Sequence, residues 1–260
     1  IQEVEMLANN GVKEIILIAQ DLTNYGYDIH GKKTLHNLVD KISKINGIEW
    51  IRLMYCYPEE ITDELIDVIA HNDKVVKYLD IPIQHISDKI LKLMARKTNK
   101  ETIIKRIEKL RNEVPGIVLR TSLIVGFPGE TKEDFEELKL FVDEYKLDNI
   151  GVFAYSMEEE TAAAKMENQI DEYIKEERKS EIMKMQKNVV KQQNKLKIGK
   201  IYDTIIDRKY GEYYIGRNYG MAPDVDGVIL INANKTLYKG QILKVKIIDV
   251  KEYDLIGEVL

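Results

Sequence analysis

The feature that most restricts this chain is an alternation. Strand-like apolar runs recur at Glu14 to Gln20, Trp50 to Cys56, Val75 to Ile83, Ile117 to Val125 and Asn149 to Tyr155. Between them, apolar residues fall at helical spacing: Leu35, Leu38, Val39 and Ile42, then Leu65, Ile66 and Ile69. The same spacing returns at Ile103, Ile104, Ile107 and Leu110, and at Phe135, Leu138, Phe141 and Val142. Five strands separated by helices imply an α/β fold with a parallel sheet, open or closed into a partial barrel. In both forms ligands are held beyond the carboxyl ends of the strands.

Those ends carry polar or glycine-containing clusters. Gln20 and Asp21 follow the first run, with Tyr25 and Gly26 just beyond. Tyr57, Pro58 and Glu59 follow the second, and Asp80, Pro82, Gln84 and His85 surround the end of the third. The fourth reads "RTSLIVGFPGET", running from Arg120 into Gly126, Phe127, Pro128, Gly129 and Glu130, while Phe153, Ala154, Tyr155 and Ser156 end the fifth. Glycine lacks a Cβ, so the backbone at Gly126 and Gly129 can take positive φ or approach another molecule closely. Thr131 with Asp134 reads as a capping pair for the next helix, and Glu133 and Asp134 suit its positive end. Polar groups gathered on one rim fit a ligand site. Gln20, Gln84, Arg120 and Gly126 are therefore expected to face one shared cleft.

Singly, these residues admit two readings. His85 is either a general base or a hydrogen-bonded structural histidine. Cys56 is either a nucleophile or a core residue of an apolar strand. Tyr55 and Tyr57 line the mouth or simply pack, and Glu158, Glu159 and Glu160 read as a solvated loop. No His or Cys cluster has metal-ligand spacing.

From Asp171 to about Lys197 the pattern becomes one long charged helix, with Ile182, Val189 and Leu196 spaced by seven and expected to pack across the barrel. Beyond Gly199, Lys200 to Ile206, Val228 to Asn232 and Ile242 to Val250 are strand-like, and the tail reads as a small all-β barrel. The expected division is 1–170 for the α/β unit, 171–197 for the linking helix and 198–260 for the β unit. A chain of 260 residues is long enough for both cores. No apolar run approaches the ~20 residues that span a bilayer. A single cysteine excludes an internal disulfide and fits a reducing, cytoplasmic setting. The net charge of −5 argues against a general nucleic-acid binder, while leaving room for a local basic face. The chain opens at Ile1, with Ile1, Val4, Leu7 and Ala8 at helical spacing and no capping residue before them. It is expected to be part of a longer protein.

In order along the chain, "LIAQDLTNYGYD", "YLDIPIQHISDKILKLMAR", "RTSLIVGFPGETKEDF" and "FAYSMEEETAAAK" resemble the radical S-adenosylmethionine methylthiotransferases. The tail, from "IGKIYDTIIDR" to "VKEYDLIGEVL", resembles their TRAM domain. Within the family, "GRNYGMAPDVDGVILIN" and "DIPIQH" are most similar to the branch that methylthiolates the β-carbon of an aspartate in ribosomal protein S-twelve. The resemblance implies a partial (β/α)6 barrel whose first strand and CxxxCxxC cluster loop lie upstream of Ile1. It also implies two 4Fe-4S clusters in the intact protein. Neither is expected in this chain, which alone should be inactive and bind S-adenosylmethionine weakly.

The implied chemistry is reductive cleavage of S-adenosylmethionine to a 5′-deoxyadenosyl radical, hydrogen removal from an unactivated carbon, sulfur insertion and methylation by a second S-adenosylmethionine. By resemblance, Gly126, Phe127, Pro128 and Gly129 lie beside the adenine, with Tyr155 in the same cofactor site. Gln84 is expected at the ribose, Arg120 at the carboxylate, and Gln20 with Asp21 near the methionine end. Glu130 is expected to fix the loop. Catalytic residues are not assigned.

The substrate is expected to be S-twelve, free or on the small ribosomal subunit, with an adenosine of transfer RNA as the alternative. A TRAM domain serving RNA should carry an excess of Lys and Arg. From Ile198 to Leu260 there are nine Lys plus Arg and nine Asp plus Glu, which leans toward a basic protein substrate. Seven tyrosines there suit bases or arginines equally. Asp224 and Asp226, on a loop after Pro223, are candidates to meet basic side chains of the substrate, or form a solvated turn. A non-catalytic ribosome-binding module is the reading from another class, and the ordered ligand rim argues against it.

Overall fold

In the computed structural model, which describes residues 1–260, the alternation becomes α1 (Gln2–Asn9), β1 (Glu14–Leu17), α2 (Tyr27–His30), α3 (Leu35–Ser43), β2 (Trp50–Leu53), α4 (Asp63–His71), β3 (Val75–Asp80), α5 (Asp88–Leu93), α6 (Lys100–Glu113), β4 (Val118–Val125), α7 (Lys132–Tyr145) and β5 (Asn149–Ala154). The strands pair in parallel and in chain order, β1-β2-β3-β4-β5. The first three ladders stop earlier than their apolar runs, at Leu17, Leu53 and Asp80. The backbone departs from extended geometry at Tyr55, where φ is 61°, and Pro82 has no N–H to donate.

Alternation along β4 divides the sheet's faces. Leu119, Leu123 and Val125 join Ile107 and Leu110 of α6 and Leu138 of α7 in the main core. On the opposite face Trp50, Met54, Val76 and Tyr78 pack against Ile205 and Ala222 of the tail. Helix α7 begins with the expected capping box: Thr131 accepts from the Asp134 N–H, and Asp134 accepts from the Thr131 N–H.

The long helix α8 runs from Glu172 to Lys195. Ile182 and Val189 are buried, but Leu196 is 72% exposed, which corrects the expected seven-residue face. Leu196 is the C-cap, and a straight helix drifts about 20° per heptad.

The tail forms β6 (Ile201–Tyr210), β7 (Tyr213–Arg217), β8 (Ile229–Asn232), β9 (Ile242–Lys251) and β10 (Asp254–Val259), closed in the order β10-β8-β7-β6-β9. The expected strands omitted β7 and β10. Each has a glycine, Gly216 or Gly257, where a side chain would signal a strand. At Gly257 a Cβ would lie 2.4 Å from Val245, so barrel closure itself excludes a larger residue there.

Buried charge joins the two units. Glu14 on β1 accepts from Arg52 (2.8 Å) and from Arg217 of β7 (2.7 Å). Arg217 grips Asp207 through two bonds of 2.7 and 2.9 Å, and Arg52 donates to the Tyr219 carbonyl at 2.8 Å. No helix is long and apolar enough to cross a membrane.

Candidate functional site

The turn after β4 is held from inside. Gly126 takes φ +73°, and its N–H donates to Glu130 Oε2 at 2.7 Å, with the Phe127 N–H at 3.3 Å from the same oxygen. The other carboxylate oxygen accepts from Arg178 of α8 at 2.6 Å. Burial pushes the Glu130 carboxyl up, and Arg178 and the two N–H groups oppose that shift. Glu130 thus clamps the loop, as expected. A Cβ at Gly126 would lie 2.3 Å from Lys175 Cγ, so both the φ angle and the covering side chain require glycine.

Beside this turn Phe127 and Tyr155 meet edge to face at 5.2 Å between centroids. Ile90, Met94, Ile124 and Met166 pack around them. The Tyr155 hydroxyl is buried without a hydrogen-bond partner, and the Lys175 ammonium lies 5.2 Å from its ring centroid. Phe127 is 6% and Tyr155 9% exposed, so the cluster is closed packing beneath Lys175, with one hydroxyl left unpaired inside it. A metal cluster finds no fit. No group of three or more His, Cys, Asp or Glu could hold a metal ion. Cys56 is fully buried, and burial pushes its thiol up, away from the thiolate a metal needs.

His85 is fully buried. Its Nδ1 accepts from the Ser87 N–H at 3.0 Å, Ser87 donates to Asp134 at 2.7 Å, and its Nε2 lies 3.8 Å from Glu130 without a hydrogen bond. Burial pulls its pKa down to about 4, so the ring is neutral and structural near neutral pH. Its ordinary value is 6.5, and a depressed folded value means that its stabilisation is complete above 6.5 and is lost as pH falls toward about 4. His85→Asn should flatten that acid limb when urea midpoints are measured across pH 7 to 4. An unchanged limb would assign the acid sensitivity to other groups.

Of the four residues expected to share one cleft, Arg120 lies near the start of β4, at the opposite end of the strand from Gly126. Arg120 donates to Asp80 at 3.0 Å, lies 3.5 Å from Asp226, and lines a cavity of about 440 Å³ with Asn149, Gln186 and Asp254. Asp21 lines a separate cavity of about 680 Å³ with Lys33, Tyr57, Glu59 and Arg96. Gln20 is exposed, and Gln84 is half-buried with φ 69°, its backbone bonded to Ser122 and Ile124. The reason lies in strand geometry. Six residues at ~3.3 Å each put Arg120 about 20 Å from Gly126 along the chain.

Asp226 also departs from expectation. Its side chain is buried, accepting from the Tyr78 hydroxyl (2.7 Å) and the Ala222 N–H (2.8 Å), so it joins the two units and does not face a substrate. Asp224 is exposed with φ 64°. Lys175 and Arg178 were absent from the expected site. Their signal is weak, since a charged pair three apart on a charged helix looks like solvent-facing surface.

Residues 1–142 match the model of the Radical SAM superfamily, and residues 198–260 match that of the TRAM domain. The chain belongs to the Radical SAM superfamily. More particularly, it is 61% identical over 259 residues to a protein of Clostridium botulinum (strain Loch Maree / Type A3) named "Ribosomal protein uS12 methylthiotransferase RimO", covering 100% of this chain and 58% of that protein. It is 60% identical, with the same coverage, to the protein of that name from Clostridium perfringens (strain 13 / Type A). The chain therefore spans 58% of the length of these relatives. Among solved structures it is similar to the radical S-adenosylmethionine methyltransferase TsrM from Kitasatospora setae, at 19% identity and TM-score 0.47, over 59% of this chain and 29% of that one.

Proposed function

We propose that this chain carries the S-adenosylmethionine-binding and TRAM parts of an enzyme that adds a methylthio group to the β-carbon of an aspartate in ribosomal protein uS12. The observation that carries the reading is 61% identity extending over 259 residues, loops and tail included, to a relative of that name. Bound with a reduced iron–sulfur cluster, S-adenosylmethionine supplies the radical and the methyl group.

This chain's own residues supply position. Gly126 to Gly129 with Tyr155 receive the adenine, and Gln84 receives the ribose. Gln20 and Asp21 stand toward the methionine end. Arg120 reaches the carboxylate only by loosening its pair with Asp80, which places it second among the cofactor contacts. Asp224 is the exposed acidic residue left to meet a basic substrate. The one cysteine of this chain, Cys56, is fully buried and offers no cluster thiolate.

The test uses the full-length protein with its clusters. Mass spectrometry of uS12, beside nucleoside analysis of transfer RNA from the same cells, should show the methylthio group on the ribosomal protein. A modified adenosine with untouched uS12 would overturn the assignment in favour of an RNA substrate.

A further inference from the structure

Eight non-glycine residues of the chain have positive φ, and Tyr55 is the aromatic one among them. A bulky side chain in this region is strained, and such residues persist where the surroundings over-determine them. Here they do. The Tyr55 N–H donates to Asp80 Oδ2 at 3.2 Å, and its carbonyl accepts from the Leu22 N–H at 3.0 Å. The next residue is fixed as well, Cys56 donating to the Asp80 carbonyl at 2.9 Å. Asp80 is 1% exposed, and its other carboxylate oxygen holds Arg120 at 3.0 Å.

The outcome is a change of direction at the end of β2. Met54 and Cys56 are buried on either side, while Tyr55 is 43% exposed at the carboxyl mouth of the sheet. A residue kept for packing would be covered. The other residues at positive φ are small, polar or charged, as Ala95, Lys146 and Asp224 are, and glycine or asparagine would take this φ with less strain than a tyrosine.

We propose that Tyr55 is a specificity-determining residue whose ring receives the polypeptide substrate, with Asp80 as the residue that positions it. The face of an exposed aromatic ring on a rigidly held backbone suits the amide and guanidinium groups of a basic protein. The inference rests on the proposed uS12 reading and deepens it.

The test compares the full-length, cluster-loaded protein with its Tyr55→Asn and Tyr55→Phe variants. Asparagine removes the ring and tolerates the backbone, so the thermal midpoint should hold or rise while KM for uS12 increases tenfold or more. The loss should fall on KM rather than kcat. Phenylalanine keeps the ring, and its KM should stay within about threefold of wild type. An unchanged KM in Tyr55→Asn overturns the proposal. So does a fall in midpoint with equal losses in KM and kcat, which would mark a structural role, and so does a phenylalanine variant as weak as asparagine. Wild-type protein that leaves uS12 unmodified would instead refute the function on which the inference rests.

Discussion

Replacing Glu130 by alanine should cost about 3–5 kcal/mol of stability, the range for breaking a buried ion pair by removing one partner. Three donors lose their acceptor together: the Gly126 N–H, the Phe127 N–H and the Arg178 guanidinium. The Glu130 side chain is 0% exposed and that of Arg178 only 13%, so water compensates poorly. Glu130→Gln should lose less, because its amide oxygen still accepts from the loop while the charge facing Arg178 is gone. Urea unfolding of the three proteins measures the order. Hydrogen exchange should show the 126–130 turn opening in the alanine variant before the sheet does. A loss below about 1 kcal/mol for alanine would mean that the apolar cluster around Phe127 holds the turn without the carboxylate.

Arg217→Ala should have an effect of similar size at the other end of the sheet. Arg217 is 4% exposed and answers two carboxylates, Asp207 and Glu14, as well as the Met221 carbonyl at 3.1 Å. Its removal leaves Asp207 without its bidentate partner, and Glu14 with Arg52 alone, again about 3–5 kcal/mol by the same reasoning. Because the pair spans the seam, the loss should also uncouple the units. Thermal unfolding should split into two transitions, and protease should cut near Gly199 while both pieces remain folded. A single transition at an unchanged midpoint would show that the apolar contact of Ile205 and Ala222 with Trp50 and Tyr78 carries the seam unaided.

Much of this architecture is legible in local spacing. The apolar runs locate all five sheet strands, and the residues at helical spacing all fall inside α3, α4, α6 and α7. The capping box of Thr131 and Asp134 is local as well, since its partners are three residues apart. Glu130 as the clamp of its own loop follows for the same reason. Less legible were the strand ends. The positive φ of Tyr55 depends on Asp80, a residue 25 positions away, and nothing near Tyr55 announces it.

The site divides along the same line. By itself the amino-acid order determined the parallel α/β sheet, the glycine turn that ends β4, the β tail and, by resemblance of its motifs, the family. Those features rest on backbone preferences and side-chain periods that act over a few residues. Only the tertiary structure decided that Asp226 is buried against Tyr78, 148 positions away, or that Lys175 covers Gly126. It also decided that Arg120 is neutralised by two carboxylates, one from each unit. A charged side chain reads as solvent-facing until its partner is known. Its partner is set by how the sheet, the long helix and the barrel dock, because a buried charge is tolerated only where an opposite charge or a hydrogen-bonding group meets it.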